Sequence, residues 1–202
     1  MSASVDEDEH SLEMHLPYIY KALSLSSPSA SSFPPLIPIL VGSTTPEKER
    51  LYGKLLAPYL ADAENVFIIS SDFCHWGSRF SYTYYLPAST SSPSSGLSLR
   101  SKDKPPTEPP IHESIARIDK LCMDAIESGS HDAFLKILRE TNNTVCGRHP
   151  IGVVMAGMEV LRAEGKIEEG EGRFRFVRYE RSNDCVRAGE SSVSYASAFA
   201  VV

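Results

Sequence analysis

Apolar positions along this chain fall into helical and strand-like registers separated by Ser/Pro-rich breaks. From His10 to Leu23, Leu12, His15, Leu16 and Ile19 recur at helical spacing, with Pro17 calling for a kink or a late start. A Ser/Pro loop, Ser24 to Pro35, leads to Leu36–Val41, an apolar run of strand length closed by Gly42. Thr45-Pro46-Glu47 supplies a hydroxyl cap, a first-turn proline and an acidic residue, opening a helix to about Leu60. Asn65–Ser71 is the clearest strand, and its continuous apolar run predicts burial on both faces. Strand, helix and strand in that order predict a right-handed βαβ unit in a largely parallel or mixed sheet.

The pattern lapses over residues 86–110, where Ser, Pro and Lys-Asp-Lys dominate. Such a composition buries too little to offset its ordering entropy, so a disordered insertion is expected. Periodicity resumes at Ile111–Glu127 through Ile115, Ile118, Leu121 and Ile126. Ser130-His131-Asp132 opens a second helix to about Glu140, and Pro150 a third to about Arg162 with Val153, Val154, Met158 and Leu161 on its apolar face. Phe174–Tyr179 and Val193–Val201 read as the last strands, and no internal repeat is visible.

At 202 residues and 42% hydrophobic, the chain can bury one sizeable core. A formal charge of −6 argues against general attraction to nucleic acid or anionic lipid. No apolar run reaches membrane-spanning length and the N-terminus carries no signal-peptide core, so a cytoplasmic protein, present also in the nucleus or not, is expected. Cys74, Cys122, Cys146 and Cys185 form no CxxC pair, so free thiols are expected in a reducing compartment.

Two loop clusters could carry chemistry. Ser70-Ser71-Asp72-Phe73-Cys74-His75-Trp76 follows the best strand, where open α/β sheets bind ligands. His75 could act as general acid or base with Asp72 orienting it, or the two could merely satisfy a turn. Cys146-Gly147-Arg148-His149-Pro150 precedes a helix, whose positive end favours a thiolate able to hold a metal or attack an electrophile. The plainer reading is a tight turn, an ion-paired arginine and a helix cap. The run Asp6-Glu7-Asp8-Glu9-His10, with Glu13 and His15, invites a metal reading, but His10 and His15 are five apart and do not share a helix face. Helix-start acidity explains the run better. His112 and His131 read as surface residues. Tyr82, Tyr84 and Tyr85 around Trp76 and Phe80 could line a pocket or peptide groove, or pack a core.

Taken together, these stretches resemble the Memo family. The resemblance rests on Asp6 to Tyr18, Ile37-Pro38-Ile39-Leu40-Val41-Gly42, Ser70 to Gly77, Cys146 to Val153, and Ser191-Ser192-Val193-Ser194-Tyr195-Ala196. It implies an α/β fold similar to class III extradiol dioxygenases, a central mixed sheet flanked by helices with a pocket at the strand ends. It implies a role in cell motility and redox-linked signalling, through binding of copper or iron and of phosphotyrosine-bearing receptor peptides. Cys146 falls on the family's metal-ligand cysteine and His75 on the dioxygenase base position. Trp76, Tyr82, Arg148 and His149 would line the pocket or hold a peptide. Family members begin with a segment carrying His-Ala-Gly-Tyr and Ser-His-His motifs, which this sequence does not contain. A single, N-terminally shortened Memo-like domain is therefore expected, with its metal site weakened or lost. Alternatives are an iron-dependent ring-opening dioxygenase using His75 as base, and a phosphopeptide-binding module without catalysis.

Overall fold

A computed structural model describes residues 3–90, 92–168 and 170–202. Contacts divide the chain into two compact units, Met1–Ser43 and Thr44–Val202. The first carries α1 (Ala3–Glu7), a 3-10 turn at Glu13–His15 and α2 (Leu16–Ser26). Pro17 lies in the first turn of α2, where a missing N–H costs nothing, so the proline sets a late start and not a kink. Glu9 accepts the N–H groups of Ser11 at 2.8 Å and Leu12 at 2.9 Å, turning the acidic run into a helix-entry device. Among the described residues Leu36–Val41 joins no ladder, and none of the described residues of this unit is buried.

The second unit is built on the pairing of α3 (Pro46–Leu60) with α6 (Arg148–Ala163). Thr45 caps α3 as expected, accepting the Lys48 N–H at 3.4 Å. The two helices approach through Gly53, where an added Cβ would stand 2.6 Å from the Gly157 nitrogen and 2.7 Å from the Val153 oxygen. Ala57, Leu60, Val154, Met158 and Leu161 close into a core beside that crossing. Gly53→Ala gains about 0.5–1 kcal/mol of helix propensity but overpacks a backbone contact, which costs about 1–3 kcal/mol. A lower urea midpoint is expected. An unchanged or higher one would show that the helices part freely.

A sheet of order β1-β5-β4 is formed by β1 (His75–Trp76), β4 (Arg175–Arg181) and β5 (Ser192–Phe199). Both pairings are antiparallel. The parallel βαβ reading therefore fails among the described residues. Its cause is Asn65–Ser71. That segment has Phe67 and Ile69 packed on the core while Val66 is 85% and Ile68 52% exposed. One face is buried, not two, and among the described residues no backbone hydrogen bond ties 66–71 to a neighbouring strand. The chain enters the sheet only where the Phe73 N–H reaches the Ser194 carbonyl at 2.9 Å.

Residues 86–110 are more anchored than their composition suggested. β3 (Leu97–Ser98) pairs with β2 (Tyr84–Tyr85), and Leu86 and Leu99 are buried, which pins the segment at its start and at its middle (Ser91 lies outside the described residues). α4 (Ile111–Glu127) and α5 (His131–Thr141) complete the unit. Ser130 caps α5 by accepting the Ala133 N–H at 3.2 Å. Among the described residues no helix is long and apolar enough to cross a membrane.

Candidate functional site

The Ser70–Trp76 loop and the Thr144–Gly147 turn, distant in sequence, are stitched together by backbone. The Cys146 N–H donates to the Asp72 carbonyl at 3.0 Å, and the Gly147 N–H to the Ser71 hydroxyl at 2.9 Å. Gly147 allows the approach, since a Cβ there would run into the Ser70 carbonyl and the Ser71 side chain. Thr144 adds a reciprocal pair: its hydroxyl accepts the His75 N–H at 2.7 Å and stands 3.2 Å from the His75 carbonyl. Nδ1 of His75 lies 3.0 Å from the Phe73 carbonyl and 3.2 Å from the Thr144 carbonyl. Its Nε2 stands 3.7 Å from Asp72 Oδ2, beyond hydrogen-bond reach. The Phe80 ring meets the imidazole edge-on at 5.2 Å.

Of the four cysteines, Cys146 alone is exposed. Burial pushes the Cys74 thiol far up, and pushes Cys122 up to about 12, so both stay protonated and inert. The thiol brought to the His75 loop is thus also the accessible one.

Asp119 escaped the sequence reading. It is fully buried on α4, where Oδ1 accepts the Cys74 N–H at 3.2 Å and the Asn143 amide at 2.8 Å, and Oδ2 accepts the Tyr179 hydroxyl at 2.8 Å. Burial outweighs these donors and holds its carboxyl above the ordinary range. It grips the residue before His75 and the residue before Thr144, and so fixes both halves of the site. The signal was spacing, because Asp119 is four after Ile115 and three before Cys122 on the buried face.

A second buried carboxylate was also missed. Glu49, 1% exposed, receives His131 Nε2 on Oε2 at 2.6 Å and His149 Nδ1 on Oε1 at 2.6 Å. Burial raises the Glu49 carboxyl, but the hydrogen bonds from His131 and His149 outweigh it and leave it below its ordinary value. His131, expected at the surface, is fully enclosed by this arrangement. His149 is drawn toward Glu49 and is not a free pocket wall.

The aromatic expectation is corrected as well. Trp76 is 0% and Tyr82 7% exposed, both inside a core with Cys74, Tyr85, Ile111 and Ile115. The Trp76 indole donates to the Tyr84 carbonyl at 3.0 Å and the Tyr82 hydroxyl to the Thr141 carbonyl at 3.0 Å. Neither ring is offered to a peptide. Arg148 is exposed at the start of α6. Among the described residues, no group of three or more His, Cys, Asp or Glu side chains is placed to hold a metal.

An exposed cysteine on a turn bonded to the loop of a clamped imidazole, in an α/β unit with antiparallel sheets, is the setting in which the comparisons with known proteins fall. Residues 1–199 match the family described as Memo-like protein. Protein MEMO1 of Danio rerio is 42% identical over 202 residues, covering 100% of this chain and 59% of the relative. Protein MEMO1 of Homo sapiens is 41% identical over 197 residues, covering 98% of the chain and 57% of the relative. A MEMO1 family protein of Schizosaccharomyces pombe is 39% identical over 200 residues, covering 99% of the chain and 62% of the relative. The chain belongs to the Memo family. It spans somewhat under two thirds of the length of these relatives.

Proposed function

We propose that this chain is a Memo-like signalling protein whose working groups are the Cys146 thiol and the His75 imidazole, in a pocket descended from that of extradiol dioxygenases. The observation that carries the reading is the pair of bonds from the Cys146 and Gly147 N–H groups to Asp72 and Ser71, which deliver the exposed thiol to the His75 loop. Redox-linked signalling and cell motility follow from the Memo resemblance, with phosphotyrosine-bearing receptor segments as partners and the exposed Arg148 as their phosphate contact.

Copper or iron does not fit as a resident ion on the described residues alone. One thiolate and one imidazole fall short of the three or four protein ligands of a closed centre. Cys146 would supply a soft thiolate donor and His75 a nitrogen, so the chain should grip a soft ion loosely through Cys146. Titration with Cu(I) should give weak binding that Cys146→Ser removes. Tight, stoichiometric binding that survives Cys146→Ser would overturn the assignment.

A further inference from the structure

We propose that Thr144 is the positioning residue of His75, holding the neutral imidazole with its proton on Nδ1, so that Nε2 is the nitrogen left with the lone pair. Nδ1 faces two carbonyl oxygens, of Phe73 at 3.0 Å and Thr144 at 3.2 Å, and carbonyls only accept. Nδ1 must therefore carry the hydrogen, and a neutral imidazole has only one to place. Nε2 is left as a lone pair on the side of Asp72, whose Oδ2 at 3.7 Å is too distant to claim it by a hydrogen bond.

The Phe73 carbonyl belongs to the same loop as His75 and moves with it. Thr144 is the fixed reference, coming from the turn that carries Cys146. Its hydroxyl accepts the His75 N–H at 2.7 Å and donates to the His75 carbonyl at 3.2 Å, locking the two backbones in register. That register brings the Thr144 carbonyl onto Nδ1. The Phe80 ring, T-shaped to the imidazole at 5.2 Å, opposes a ring flip that would put the Cδ2 carbon where Nδ1 meets the two carbonyls. The tautomer stands on this geometry alone, while the choice of His75 as a working group rests on the function proposed above.

Heteronuclear NMR of the histidine side-chain nitrogens in the full chain tests the proposal. It is run with chelator present and at a pH where the imidazoles are neutral, and His75 is assigned by its loss in His75→Gln. Wild type should show His75 protonated at Nδ1 and bare at Nε2. Thr144→Val keeps the shape but removes the hydroxyl, and should shift His75 toward a mixture of the two tautomers. Thr144→Ser restores the hydroxyl and should return the wild-type pattern. A wild-type His75 protonated at Nε2 would overturn the proposal, even if the valine variant failed to fold. So would a folded Thr144→Val whose His75 signals are unchanged. Copper binding is not read in this experiment, so loss of the metal-binding reading with an Nδ1-protonated His75 would separate the two.

Discussion

Asp119→Ala should lower the unfolding free energy by about 3 kcal/mol or more, because each buried donor left unpaired costs about 1–3 kcal/mol. The stranded donors would be the Cys74 N–H, the Asn143 amide and the Tyr179 hydroxyl. Asp119→Asn should cost less, since its carbonyl can still accept from Cys74 and Asn143 while the Tyr179 hydroxyl turns to accept from the new amide. Urea unfolding separates the two variants, and equal midpoints for alanine and wild type would sink the argument. The pH dependence has a definite sign. Burial raises the folded pKa of Asp119 above its unfolded value, so the folded state holds the proton more tightly. Its contribution is greatest at low pH and is lost as pH climbs from roughly 4, the ordinary carboxyl range, through the folded value. Asp119→Asn should remove that slope.

Elements governed by local rules were legible in the sequence. α4 runs Ile111–Glu127 as its periodicity predicted, and Thr45-Pro46 opens α3 because capping needs only neighbouring residues. Strand pairing was not legible, since a ladder depends on a partner remote in sequence. Asn65–Ser71 has the composition of a central strand, yet nothing in its own seven residues says whether a neighbour pairs with it. The same limit hid Asp119 and Glu49, charges that composition assigns to solvent until donors from other helices are known. His131 followed Glu49, reading as a polar helix start because its partner lies on α3. The loop clusters were visible as loops after a strand and before a helix. Their meeting was not, because the Cys146–Asp72 bond links residues far apart in the chain and has no counterpart in local pattern.

Glu49→Leu should be the other severely destabilising change, because it strands two imidazole donors at about 1–3 kcal/mol each. His131 Nε2 and His149 Nδ1 would each lose an acceptor 2.6 Å away. Glu49→Gln is the sharper test. Its amide oxygen can keep one imidazole, but its NH2 group would confront the other N–H. That imidazole could adapt only by moving its proton to the far nitrogen, and among the described residues His131 Nδ1 and His149 Nε2 are buried without a partner. Either way a donor is stranded, at about 1–3 kcal/mol. The pH sign is opposite to that of Asp119. Glu49 sits below its unfolded value, so its stabilisation is present above the ordinary glutamate pKa and is lost as pH falls through the folded one. Wild type should weaken on the acid side of roughly pH 4, and Glu49→Gln should flatten that limb while lowering the neutral plateau. A glutamine variant as stable as wild type at neutral pH would mean that the imidazoles find other acceptors, and that Glu49 does not hold α3, α5 and α6 together.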